Sequence, residues 1–411
     1  MPLLLRNIEK LLTMNGDAQN PLGVIQNAAV IIDGKSIVWV GKEDHVPYVV
    51  AETFDCLGGV VMPGLVDCHT HLVFAGSRRD EFVLRAQGAT YQEIMQAGGG
   101  ILNTMQATRW ATKEELIELA LPRLSRMLSY GVTTIEAKTG YGLSLIDELK
   151  MLEVMGALNQ LQPIQICPTF LGAHAIPPEY KNRADDYVDH IIDEMIPQIK
   201  TQGIATSCDV FVERGAFTKE QGLRILCAAK AAGLSCKVHA EQLSHSGGAW
   251  LAAQVSALSA SHLEYATDDD KKALAKTHVI AEILPTAQEY LGLSTAVSAR
   301  SFIDAGLKVA VATDFNPGSA MCDNLHWAAR LSVTRCGLSC EEALLGITRH
   351  AAKSVGRDDV GVIQAGKKAD FCVLSSDNPW DLFYDWSLNP VRAVFKNGQE
   401  VVNVHHLTFG S

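Results

Sequence analysis

Between about Gly59 and Gly361 the chain alternates runs rich in β-branched residues with segments whose apolar residues recur at helical spacing. No other feature restricts its fold so tightly. The runs are Leu65–His71, Val132–Ala137, Ile164–Phe170, Cys208–Val212, Cys236–Ala240, Ala257–Leu263, His278–Leu284 and Val309–Thr313. Segments such as Glu114–Leu124 and Gln221–Lys230 carry apolar residues three and four apart, the period of one helix face. Strands separated by helices lie parallel, because each crossover returns the chain to the same end of the sheet. A count near eight over roughly 300 residues fits a closed (β/α)8 barrel of TIM type better than an open sheet. In that fold chemistry sits at the carboxyl ends of the strands.

The two chain ends differ in texture. Near the start, Asp33-Gly34 separates two β-branched runs; near the finish, Asn397-Gly398 does the same. Both pairs are hairpin signals. Neither end has enough strands for a stable sheet, since isolated hairpins are marginal. The expectation is that residues 1–58 and 361–411 combine into one small β-sandwich domain beside a barrel of residues 59–360.

Composition narrows the function. With 35 Lys and Arg against 46 Asp and Glu, the formal charge is −11, which argues against a nucleic-acid partner. Hydrophobic residues make up 47% and charged residues 20%, which excludes a disordered chain. The uncharged stretch Leu243–Leu263 is broken by His245, Gly247, Gly248, His262 and serines, so no membrane partner is expected. The start of the chain meets Glu9 and Lys10 too early for a signal peptide. Ten cysteines without paired spacing read as buried residues in a reducing compartment, the cytoplasm.

The first barrel run ends Asp67-Cys68-His69-Thr70-His71. Residues two apart on a strand share a face, so both imidazoles point the same way and can bind one cation. The fifth run ends at His239-Ala-Glu241-Gln242, the sixth at His262-Leu-Glu264, and the eighth at Asp314-Phe-Asn316. All lie at the same barrel mouth. His69, His71, His239 and Asp314 supply three nitrogens and a carboxylate, suited to one divalent metal ion, Zn or Fe. The bland alternative is four unrelated polar residues at four matching strand ends.

This arrangement, with Pro63-Gly64 before the first metal strand, resembles the amidohydrolase superfamily, a metal-dependent barrel flanked by a β domain built from both chain ends. The finer motifs His69–Arg78, Thr139-Gly-Tyr141-Gly, Phe170-Leu-Gly-Ala-His174, His239-Ala-Glu-Gln and Thr313-Asp-Phe-Asn-Pro-Gly318-Ser319 are similar to one branch of it. Members of that branch hydrolyse the ring of 4-imidazolone-5-propanoate to N-formimidoyl-L-glutamate in histidine degradation. The resemblance implies metal ligands at His69, His71, His239 and Asp314, and a catalytic His262 that shares proton relay with Asp314. It implies substrate contacts at Arg78, Tyr141, His174, Gln242, Asn316, Gly318 and Ser319. The substrate is then a small molecule with a carboxylate tail, which the Arg78 guanidinium fork suits. The glycines around Tyr141 let the backbone approach a ligand closely. A homodimer is also expected by resemblance.

Two departures matter. Related deaminases carry a proton-shuttling Glu where this chain has Gln242, and a neutral amide cannot take that role. Binuclear relatives bridge two ions with a lysine on the fourth strand; that strand here ends at Glu213, and Lys138 stands on the second. One ion is therefore expected, with Glu213 the candidate for any second. The competing readings are a mononuclear deaminase of a nucleobase-like ring and a non-catalytic scaffold. The first predicts an acid at position 242, and the second predicts eroded ligands.

Overall fold

The computed structural model describes residues 1–48, 51–89, 93, 99–293 and 297–403. His405 and His406, to which the sequence assigns no role, lie outside them.

The eight expected runs form one parallel sheet in sequence order: Leu65–Asp67, Val132–Lys138, Gln165–Ala173, Ser207–Val212, Ser235–Ala240, Ser259–His262, Ile280–Ile283 and Val309–Val311. The seam between the last strand and the first closes at the mouth. Asp314 N donates to His69 O at 3.0 Å and His71 N to Phe315 O at 2.8 Å. Below them the Asp67 carboxylate accepts from Thr313 N (3.1 Å) and Thr313 Oγ1 (2.6 Å). Closure thus sets two of the expected ligands and their aspartate side by side.

The outer helices follow from local chemistry. Lys113–Ser129 starts on a capping box in which the Thr112 and Glu115 side chains each bond the other's backbone. Its residues Leu116, Ala120, Leu124 and Met127 fall on one buried face, and the helix runs through Pro122. Lys219–Ala231 repeats the device with Thr218 and Gln221. Burial of these faces against the barrel strands makes one large apolar core.

The chain ends build a second sheet, also of eight strands among the described residues. Val60–Pro63 joins the two contributions, pairing parallel to Leu3–Leu12 and antiparallel to Phe371–Leu374. Leu5, Ile8, Val61, Phe371, Val373 and Phe395 belong to its own core. Both expected hairpins are present, Asp33 facing Ser36 and Lys396 facing Gln399. Their turns abut: a Cβ on Gly398 would stand 2.1 Å from Gly34 O. Among the described residues, no helix is long and apolar enough to cross a membrane.

Candidate active site

Four imidazoles and one carboxylate converge at the closed mouth, all buried. Ring centroids lie 4.5 Å apart for His69 and His239, 5.6 Å for His69 and His71, and 5.4 Å for His239 and His262. Asp314 Oδ1 stands 3.5 Å from His69 Nε2 and 3.6 Å from His71 Nε2. Ligand atoms of His69, His71 and Asp314 fall within 4.8 Å of one another, as do those of His69, His239 and His262. His69 Nε2 and His239 Nε2 have no hydrogen-bond partner among the described residues. Buried polar atoms without partners are costly, and a cation at their focus removes that cost. The donor set therefore fits a divalent metal.

Protonation supports the same use. Burial, then neighbouring positive charges, holds His69 and His71 well below the usual imidazole range. Burial also lowers His239 to about 4 against the opposing pull of Asp209. Neutral imidazole is the form that binds metal. His262 goes the other way: burial opposes its charge, but Glu264, Asp314 and Asp209 outweigh it and the pKa is raised. Burial pushes Asp314 up to about 6.

Beneath these rings lies a charge network that sequence reasoning missed. Glu136, Lys138, Asp209, Lys237 and Glu282 are all fully buried inside the barrel. Lys138 Nζ donates to Glu136 (2.8 Å) and Asp209 (2.7 Å); Lys237 Nζ donates to Glu282 (3.0 Å). Two of the acids reach the imidazoles. Asp209 Oδ2 is 3.0 Å from His239 Nδ1, and Glu282 Oε2 is 3.4 Å from His69 Nδ1, with Ser261 Oγ at 3.1 Å. The contacts to His69 Nδ1 leave its Nε2 for the mouth, whereas Asp209 lies beside His239 Nδ1 without a hydrogen bond to it among the described residues. The available signal was an ionisable residue in the middle of an otherwise apolar strand, as in Cys208-Asp-Val and Ile280-Ala-Glu-Ile.

The other expected site residues take distinct places. The Arg78 guanidinium donates through Nε and Nη2 to Glu81 (2.9 and 2.7 Å), and Nη1 lies over Gly318, where a Cβ would come within 2.0 Å. Tyr141 is buried beside His71 and His174, and His174 stacks on His71 at 5.0 Å. Ser319 Oγ is 3.5 Å from Asp314 Oδ2. The Asn316 side chain turns into its own loop, donating to Asp314 O and Ser319 Oγ and accepting from Gly318 N and Ser319 N. Gln242 is half-buried on the loop after the fifth strand. Glu213 clamps that loop: its carboxylate accepts from Leu243 N (2.8 Å), Ser244 N (3.1 Å), the Ser244 hydroxyl and Arg214 N (2.8 Å). Those bonds occupy both of its oxygens. Lys138 is likewise committed to its buried acids.

Residues 60–401 match the family model described as "Amidohydrolase family". The chain is 44% identical to an imidazolonepropionase of Geobacillus kaustophilus, over 98% of each chain. An imidazolonepropionase of Myxococcus xanthus is also 44% identical, over 98% of this chain and 97% of the relative. Among solved structures, a zinc-bound adenosine deaminase from Xanthomonas campestris superposes with a TM-score of 0.71 at 17% identity, covering 98% of this chain and 93% of the other. The zinc complex of the atrazine chlorohydrolase TrzN from Arthrobacter aurescens gives 0.72 at 20%, covering 98% and 95%. At those identities the structures speak for a shared fold.

Proposed function

The chain belongs to the amidohydrolase family, in its imidazolonepropionase branch, and we propose that it hydrolyses the ring C–N bond of 4-imidazolone-5-propanoate to give N-formimidoyl-L-glutamate. The reading is carried by two ligand triads that share His69, one with His71 and Asp314 and one with His239 and His262, beside the unpartnered Nε2 atoms of His69 and His239. His69, His71, His239 and Asp314 would hold one divalent ion, zinc or iron. When bound, such an ion lowers the pKa of water toward neutrality and polarises a carbonyl oxygen.

The remaining work falls to this chain's own groups. Asp314 moves a proton at its carboxylate, and His262, whose pKa the neighbouring Glu264 raises, moves one at its ring or, when protonated, steadies negative charge on the opening carbonyl. Arg78, steadied by Glu81, offers Nη1 to the propionate carboxylate above Gly318. Tyr141 and His174 orient the ring from beside His71. Asn316 shapes the loop that presents Gly318 and Ser319. Gln242 serves as a neutral hydrogen-bonding contact, which leaves the proton work to Asp314 and His262. The enzyme works as a homodimer in the cytoplasm.

The test is direct. Freshly prepared imidazolone propionate should lose its ultraviolet absorbance in the presence of the protein, and a chelator should stop the loss until zinc or iron is returned. Metal-loaded protein that leaves the absorbance unchanged would refute the reading.

A further inference from the structure

The segment Thr139–Leu143 carries Tyr141 from the end of the second barrel strand into the helix Leu145–Leu161. Its fold is organised around one carboxylate. Glu148, fully buried in the first turn of that helix, accepts from Gly140 N (3.2 Å), Gly142 N (2.9 Å) and Leu143 N (2.8 Å). The glycines of Thr-Gly-Tyr-Gly therefore have another use than close approach to a ligand. A Cβ on Gly142 would lie 2.8 Å from Glu148 Oε1, and one on Gly140 would lie 2.8 Å from His174 Nδ1.

The carbonyls of the segment are held as well. Arg109 Nε donates to Gly142 O at 2.6 Å, and the Tyr187 hydroxyl, 2.9 Å from Gly172 O, lies 3.3 Å from Leu143 O. His174 Nδ1 stands 3.1 Å from Gly140 O. Thr139 Oγ1 accepts from Leu171 N at 2.8 Å, tying the segment to the third strand. With its backbone groups turned toward the protein, the loop presents the Tyr141 ring to His71 and braces His174 at the same time.

We propose that Glu148 is a positioning residue for the hydrolysis: its buried carboxylate folds the loop that sets Tyr141 and His174 against the substrate. The proposal rests on the reading above that those two side chains touch the substrate. Glu148 itself bonds the loop's backbone and acts only through them.

The experiment starts from wild-type protein with its metal bound. If wild type does not turn over imidazolone propionate, the functional reading fails and the proposal, which rests on it, falls too; that failure shows in wild type, whereas failure of the proposal alone shows only in the variants. Given turnover, Glu148→Leu should raise KM by roughly 10- to 100-fold with a much smaller fall in kcat, while metal affinity stays at the wild-type value. Glu148→Gln, which keeps one acceptor oxygen, should restore part of the loss. In a Tyr141→Ala, His174→Ala background the Glu148 substitution should add less than about twofold. A folded Glu148→Leu protein with wild-type KM, or an effect that persists in full in that background, would overturn the proposal. Should Glu148→Leu not fold, Glu148→Gln and Arg109→Gln carry the same test: raised KM supports it, and wild-type KM in both refutes it.

Discussion

A histidine offers two nitrogens, and a site that uses one must decide what becomes of the other. Here Asp209 stands 3.0 Å from His239 Nδ1 and Glu282 3.4 Å from His69 Nδ1, while the Nε2 atoms of both rings have no hydrogen-bond partner among the described residues. Partners of this kind commonly contribute 10- to 100-fold in metal affinity. Asp209→Asn should accordingly weaken zinc binding by roughly that factor, measured by competition with a chromophoric chelator. Unaltered affinity would separate Asp209 from the ligand geometry. Arg78 makes a different prediction. Its Nε and Nη2 are on Glu81 and its Nη1 lies over Gly318, apart from the imidazole cluster, and under the proposed reading Nη1 takes the substrate's carboxylate. Arg78→Met should raise KM far more than it lowers kcat, and steady-state kinetics showing equal losses in both would count against a tail clamp.

At the scale of elements, the eight strands and the two end hairpins could be read in the sequence because their signals are local. A β-branched run, an Asn-Gly pair or a Thr-x-x-Glu capping box acts within a few residues. Asn397 and Gly398 both have positive φ, 50° and 77°, as a two-residue turn of this kind requires. What the pair could not reveal is that its turn lands on Gly34 of the other hairpin. Gly398→Ala should therefore be worse than a φ penalty alone, costing upward of about 1 kcal/mol in urea denaturation. The glycines beside Tyr141 teach the same lesson. Their presence marked an unusual backbone, but the group that approaches it is Glu148, eight residues past Gly140, together with His174 from just past the third barrel strand.

For the whole molecule, burial of neutral groups sets an acid limit. His326 is 1% exposed, donates from Nε2 to Tyr130 O at 2.8 Å, and is lowered to about 4 by burial and the nearby Arg330 charge. The unfolded chain takes up this proton near pH 6.5 and the folded one only near pH 4, so stability is full above that window and falls as pH drops through it. Between pH 7 and pH 5 the loss should be about 2 kcal/mol from this residue. Denaturant titrations of wild type and His326→Gln at the two pH values check it: the variant should lose less, and an identical loss would show that His326 does not contribute.

The amino-acid order alone determined the barrel, the end domain's hairpins and the strand-end positions of His69, His71, His239, His262 and Asp314, because strand period and topology fix where such residues point. Tertiary structure decided which ring nitrogen of His69 stays free, what Glu148 and Glu213 hold, and how five charges pair inside the barrel. His69 and Glu282 lie 213 positions apart, and Asp67 and Thr313 lie 246 apart. Side chains that distant meet only when the cylinder closes, and no local pattern around either one encodes the identity of its partner.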